Sequence, residues 1–314
     1  MIAIEIINTF VRTKTRDGME LRQLKYFATV AQTLNFTDAS RMLFITQGTL
    51  SQQIKQLEDE IGTPLFIRTS HSVMLTDAGE ELLPFAQKTI AEAANCKNKM
   101  NDLKKILTGS LNIGVTHSFS TLLVGTIKEF LKKYPNVKLN INYATASELF
   151  EMLHERKLDF ILAFKPLQEY EAIQSEVLFR SSLSIVMRKE HPMATHKSIT
   201  MEELQKLSIA LPGSGLQARR AFERFIDIDT SKLNIKIELN DPNMIMNIVQ
   251  GTNLVSILSS IAIIYHPNLT AITLEGVRRE MIGCYHFMKD IYHKRAGEVF
   301  LQMLRESPLI SQLN

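Results

Sequence analysis

Three short helical patterns and a β-hairpin, one long helix with a single apolar seam, and about 200 residues of strand–helix alternation predict an α+β multidomain chain. A chain of 314 residues has room for more than one domain. Its 45% hydrophobic and 22% charged residues are those of an ordinary globular protein. No apolar run reaches the roughly 18 to 20 residues that span a bilayer. The opening "MIAIEIINTF" carries Glu5 and Asn8 and no basic stretch before it, so a signal peptide is not expected and the cytoplasm is.

The first 18 residues, ending in "VRTKTRDG", read as a flexible tail. From Met19, "MELRQLKYFATVAQTLN" places Leu21, Leu24, Phe27, Ala28, Val30 and Ala31 on one helical stripe. "FTDASRMLF" follows as a second short helix, with Thr37 expected as its cap. The third, "TQGTLSQQIKQLEDEI", lines up Leu50, Ile54, Leu57 and Ile61 on one face. Its other face carries Gln47, Ser51, Gln52 and Lys55, while Glu58, Asp59 and Glu60 gather at the far end, against the usual preference of acids for the first turn.

"PLFIR" and "VML" flank the polar turn "TSHS" as a hairpin. Thr76 then caps a helix through "DAGEELLPFAQKTIAEAANCKNKMNDLKKIL". Leu82, Ala86, Thr89, Ala93, Cys96, Met100, Leu103 and Leu107 repeat at alternating spacings of four and three, a coiled-coil seam. From Gly79 to Leu107 such a helix runs roughly 40 Å. The simplest partner for its one apolar seam is a second copy, and Gly109 is expected to close it.

From Leu111 strands are predicted at "LNIGV", "KLNINYA", "DFILAF", "LSIVMR", "LSIAL", "IKIEL", "LVSIL", "AITL" and "GCYHFM". Helices fall near Thr121–Tyr134, Ser147–Lys157, Met201–Leu207, Leu216–Phe225, Pro242–Gly251 and Ala296–Leu304. Largely parallel sheets in two subdomains follow.

Three helices and a hairpin make a winged helix-turn-helix, in which the last helix enters the major groove of DNA. Glutamine can read adenine, serine either base, and lysine guanine or phosphate, whereas carboxylates at that end would repel phosphates. Arg68 in the wing suits a phosphate or the minor groove. Net charge does not force this reading. The chain is only +3, and residues 20–77 balance Arg22, Lys25, Arg41, Lys55 and Arg68 against Glu20, Asp38, Glu58, Asp59, Glu60 and Asp77. An ordinary solvated face remains the alternative for Gln47, Ser51, Gln52 and Lys55.

These segments, "LRQLKYFATVAQTLNFTDASRMLFITQGTLSQQIKQLEDEIGTPLFIR", "LTDAGEELLPFA", "LNIGV", "KLDFILAF" and "HPMA", resemble the LysR-type transcriptional regulators from Met19 to about Leu304. The resemblance implies a winged helix-turn-helix over 19–77 and a linker and dimerisation helix over 78–109. It also implies an effector-binding domain over 110–314, built as two Rossmann-like halves similar to periplasmic binding proteins of type 2 (110–182 with 284–314, and 183–283). It implies a double-stranded DNA operator, a homodimer through the long helix and commonly a tetramer. Thr37, Gln47, Ser51, Gln52, Lys55 and Arg68 carry over as DNA-binding positions. Gly48 stands where the family commonly has proline, and Gln52 where it often has arginine.

Open α/β sheets bind ligands at strand ends and helix N-termini. Thr116 and Ser118 after the first strand, Ser147 at a helix start, and Ser214 and Gly215 of "PGSG" are therefore the expected effector contacts, suited to a polar or anionic small molecule. Simple capping by these serines is the alternative, and His117 is expected to be structural. Cys96 and Cys284 do not fit the paired cysteines of the family's peroxide sensors and are expected to be buried thiols. "CYH" places Cys284 and His286 on one strand, too few ligands for a metal site. No GxGxxG, P-loop or nucleophile elbow is present, so no enzyme, catalytic residue or cofactor is expected.

Overall fold

A computed structural model describes residues 18–69, 72–103, 107–166, 168, 170–225, 230–275, 280–289 and 291–313. The expected tail, apart from Gly18, and the hairpin residues Ser70 and His71 lie outside that set. The chain divides into two compact units after Lys97, each taken by itself below.

In the first unit, α1 (Leu21–Thr33), α2 (Phe36–Met42) and α3 (Gln47–Ile61) precede an antiparallel hairpin of β1 (Phe66–Arg68) and β2 (Val73–Leu75). Leu24, Phe27 and Val30 of α1 and Leu50, Ile54 and Leu57 of α3 meet Phe36, Ala39, Leu65 and Phe66 in one core. Ile61, the last member of the expected stripe, is 39% exposed because α3 ends there. The cap of α2 is Asn35, not Thr37. Its Oδ1 accepts the N–H groups of Thr37 and Asp38 at 2.8 and 3.2 Å, which leaves Thr37 exposed at the second helical position.

Helix α4 (Asp77–Leu103) starts where Thr76 was expected to cap it. The Thr76 hydroxyl accepts the Gly79 N–H at 3.0 Å and donates to the Pro64 carbonyl at 2.7 Å, tying the helix to the wing. Gly79 makes that approach possible, since a Cβ there would lie 2.3 Å from the Leu65 oxygen. The seam is not wholly free for a partner. Ala86 is buried in the first unit's core and Leu82 packs against it, whereas Cys96 and Met100 are exposed. Cys96 is therefore not the buried thiol expected for this chain. Gly109 does not close the helix but opens β3 with φ +97°.

The second unit holds a mixed sheet, not a largely parallel one. β3 (Gly109–Val115) pairs in parallel with β4 (Val137–Tyr143) and β5 (Phe160–Phe164). β12 (Glu280–Met288) returns antiparallel between β5 and β6 (Ile173–Arg188). β6 is far longer than the predicted "LSIVMR". Its first part, through Ser182, pairs with β12, and from Leu183 it pairs with β10 (Ser256–Ser259) and β11 (Leu269–Leu274). β7 (Ser198–Ile199) adds to β11, and β8 (Ile209–Pro212) pairs in parallel with β9 (Ile235–Leu239). Neither β7 nor the start of β6 stands out in the sequence, because alternating exposed residues interrupt β6 and β7 is only a two-residue strand.

Helices α5 (Ser120–Lys133), α6 (Ala146–His154), α7 (Met201–Lys206), α8 (Gln217–Phe225), α9 (Pro242–Gly251), α10 (Arg295–Arg305) and α11 (Pro308–Leu313) complete this unit. A large apolar core runs from Leu111 and Phe119 by way of Phe179 to Ile245 and Leu258, and a second, smaller one gathers Leu149, Phe150, Leu153 and Ile161 at α6. No described helix is long and apolar enough to cross a membrane.

Candidate nucleic-acid interface and effector cleft

Helix α3 owes its position to three features. Thr46 caps it by accepting the Thr49 N–H at 3.2 Å. Leu50, Ile54 and Leu57 are fully buried, which fixes its rotation. Gly62, at φ +81°, ends it in the left-handed conformation that a side chain disfavours. The opposite face is therefore pushed outward. Gln47, Gln52 and Lys55 are exposed, and their side chains make no hydrogen bond or ion pair among the described residues.

Arg68, expected in the wing to suit a phosphate or the minor groove, is engaged within the unit itself. Its guanidinium donates to Ser51 Oγ at 3.1 Å and Glu58 Oε2 at 3.0 Å, and it lies 4.5 Å from the centre of the Phe36 ring. Glu58 Oε1 also accepts the N–H groups of Leu65 and Phe66 at 2.9 and 3.3 Å. One carboxylate thus joins the end of α3 to the start of the wing, and Arg68 holds the Ser51 hydroxyl. The placement of Glu58 late in α3, odd as helix electrostatics, is explained by this link.

The second unit contains a cleft of about 380 Å³. Ser147 lies on its rim, at the second position of α6. It is not the cap: Thr145 and Glu148 form a reciprocal capping box, and these bonds hold the Glu148 carboxyl below its usual range. Across the cleft, Arg220 of α8 donates from Nη1 to Ser147 Oγ at 3.1 Å and from Nε to the Ser214 carbonyl at 3.3 Å. A Cβ on Gly215 would lie 3.4 Å from Thr145 Cγ2. Ser147 and the adjacent pair Ser214 and Gly215, far from it in sequence, therefore converge, although of the three only Ser147 lines the cleft.

Thr116 and Ser118 do not line this cleft. Thr116 is buried with its hydroxyl turned to the Leu162 carbonyl, 3.4 Å away. Ser118 belongs to the 3-10 turn His117–Phe119, which lies against the turn Ser260–Ile263. That turn joins a polar cluster the sequence reading missed, in which Ser181 Oγ sits 2.7 Å from Ser259 Oγ and 3.0 Å from Ser260 Oγ.

Two further side chains of the cleft were also missed. Gln217 accepts the Phe164 N–H at 3.1 Å and donates to the Phe164 carbonyl at 2.8 Å, clasping α8 to β5. Arg220 follows three residues later on the same helical face. Nothing in "QARRAFERF" separates Arg220 from Arg219, which is buried and paired with Glu223. Only the distance to Ser147 does.

Behind the cleft, His286 is fully buried. Its Nδ1 lies 2.7 Å from Ser175 Oγ and its Nε2 3.2 Å from the Ala163 carbonyl. Burial pushes the imidazole down to about 4, the Ala163 bond opposing and Lys165 reinforcing the shift. Burial likewise pushes the Cys284 thiol up to about 11. Among the described residues no group of three or more His, Cys, Asp or Glu side chains could hold a metal ion.

A family described as "LysR substrate binding domain" matches residues 105–308, and "Bacterial regulatory helix-turn-helix protein, lysR family" matches residues 21–80. The chain belongs to the LysR family of transcriptional regulators. An uncharacterized HTH-type transcriptional regulator of Bacillus subtilis, YwqM, is 36% identical over 207 residues, covering 65% of this chain and 70% of that protein. The HTH-type transcriptional activator CmpR of a Synechocystis species is 27% identical over 82% of this chain and 81% of its own. Among solved structures, a full-length OxyR variant from Pseudomonas aeruginosa is 25% identical and superposes with a TM-score of 0.74, covering 93% of this chain and 96% of that one. CbnR in complex with its target DNA superposes with a TM-score of 0.63 at 20% identity, over 91% of this chain and 99% of that one, a likeness of fold. As a LysR-family member the chain is a DNA-binding transcriptional regulator with an effector-binding domain, not an enzyme.

Proposed function

We propose that this regulator reads a dyad operator through Gln47, Ser51, Gln52 and Lys55 of α3, and that a small polar or anionic effector bound beside α6 and α8 alters that binding. The observation that carries the DNA reading is the outward face of α3. Gln47, Gln52 and Lys55 are exposed and unengaged, while Leu50, Ile54 and Leu57 fix the helix from behind. Thr37, exposed at the start of α2, is proposed to donate to a phosphate. Arg68 acts chiefly by holding Ser51 and Glu58, with its charge still at the surface.

The domain scheme of 19–77, 78–109 and 110–314 accompanies this reading. Within the last domain, the change of partners along β6 between Ser182 and Leu183 supports two halves, 110–182 with 284–314 and 183–283. A homodimer through the 78–109 helix is supported by the exposed Phe85, Cys96 and Met100, and a tetramer and a cytoplasmic setting are proposed with it. Of the effector positions, Ser147 on the cleft lining is proposed as a direct contact, with Ser214 and Gly215 beside it through Arg220 and Thr145, and Thr116 and Ser118 away from it.

The test is binding of the full chain to its own upstream DNA at near-physiological salt against random competitor, comparing wild type with Gln52→Ala and Lys55→Ala. Base readout survives competition, whereas phosphate contacts fade with salt. The expected result is a preferred dyad site whose preference relaxes in Gln52→Ala. Lys55→Ala should weaken operator binding and flatten the salt dependence by about one charge. Unchanged preference in Gln52→Ala would remove that residue from the reading face.

A further inference from the structure

The groups around the cleft say more about its ligand than polarity alone. Resting on the effector-cleft reading above, we propose that the ligand is a carboxylate with a flat apolar body, and that Arg220 takes the carboxylate by exchanging Ser147 for it.

The first observation is an uncompensated guanidinium. The two acceptors of Arg220, the Ser147 hydroxyl and the Ser214 carbonyl, are both neutral. A guanidinium offers five N–H donors in a rigid fork that matches a carboxylate two bonds at a time. Lys165 lines the same cleft and makes no ion pair among the described residues. The carboxylate on the described lining, Glu280, is already paired with Arg180. Glu148, one residue beyond Ser147, is committed to the Thr145 cap. An incoming anion therefore meets one cation held only by neutral acceptors and another that makes no ion pair among the described residues.

The second observation is the wall. Phe150 and Tyr170 stack with ring centres 4.7 Å apart and planes only 10° from parallel, and both border the cleft together with Phe164 and Phe225. Flat aromatic faces accept a planar body by offset stacking or edge contact. A cleft of about 380 Å³ has room for a single-ring acid. The third observation is mechanical. Arg220 and Ser147 face each other across the cleft from α8 and α6, while Gln217 independently clasps α8 to the Phe164 backbone. Replacing the Ser147 bond by a ligand carboxylate keeps α8 anchored yet changes what holds it to α6. A ligand can shift the arrangement only by binding one form better than the other, and this exchange supplies such a difference.

The test uses the full chain and three probes at constant ionic strength: benzoate, hexanoate, and benzamide as the neutral analogue of benzoate. Binding is followed by calorimetry and by the shift of the unfolding midpoint. Benzoate is expected to bind saturably, hexanoate more weakly, and benzamide at least tenfold more weakly than benzoate. Arg220→Gln should lower benzoate affinity at least tenfold, and Arg220→Lys should recover part of it. Unfolding midpoints without ligand show that both variants are folded. Equal binding of benzamide, lost when Ser147→Trp blocks the rim, would overturn the carboxylate class and leave the cleft reading standing. Benzoate binding that survives both Arg220→Gln and Ser147→Trp would overturn both. Binding of neither acid would overturn the proposed class.

Discussion

His286 makes the effector-binding unit acid-sensitive in a way that can be separated from every other titrating group. The imidazole is fully buried, its Nε2 faces the Ala163 carbonyl, and the Phe150 ring meets it at 5.0 Å between centres. Its pKa falls from 6.5 to about 4, mainly by burial, with nearby Lys165 adding a smaller push. A folded-state value below the unfolded one means that the unfolded chain takes up the proton first as pH drops. Stability is therefore complete above about pH 6.5 and declines by about 1.4 kcal/mol per pH unit down to about pH 4. Between pH 7.5 and pH 5 the loss from this residue is about 2 kcal/mol, approaching about 3 kcal/mol below pH 4. The perturbation is His286→Gln, whose amide can still meet Ser175 and the Ala163 carbonyl but does not titrate here. Urea unfolding of the full chain followed by circular dichroism at both pH values gives the measurement. His191, whose pKa is also lowered by burial, titrates in both proteins and cancels in the comparison. Wild type should lose about 2 kcal/mol more than the variant over that interval. Equal losses would refute a desolvated His286.

Further predictions follow from the packing. Gly48 is exposed near the start of α3 and a Cβ there meets nothing within 4 Å, so Gly48→Ala should stabilise the first unit by about 0.5–1 kcal/mol, read from its thermal midpoint. Gly79→Ala should destabilise the same unit by about 1–3 kcal/mol, because the new methyl collides with the Leu65 carbonyl, a backbone atom that cannot step aside. A thiol reagent at neutral pH should label Cys284, whose thiol is buried and raised to about 11, far more slowly in the folded protein than in urea. Equal labelling rates in the two states would contradict the burial of Cys284.

What the sequence determined by itself is local. Apolar spacing set the rotation of α3, because Leu50, Ile54 and Leu57 can be buried together only if Gln47, Gln52 and Lys55 face out. The Thr76 cap and the short hairpin were legible because their chemistry lies within a few residues of chain. Even here a neighbour could mislead: Asn35, not Thr37, caps α2, since both offer a side-chain oxygen and only the backbone path chooses between them. What only the tertiary structure decided are choices of partner. Periodicity says that Leu82 and Ala86 are apolar, not that the first unit's own core claims them ahead of a second copy. It places Arg68 in a wing, not against Glu58 and Phe36. Nor can it bring Arg220 to Ser147, 73 residues away, or run β6 through two sets of neighbours. Burial depends on a residue's own character and can be read along the chain, whereas pairing depends on which distant groups the closed fold delivers to the same place.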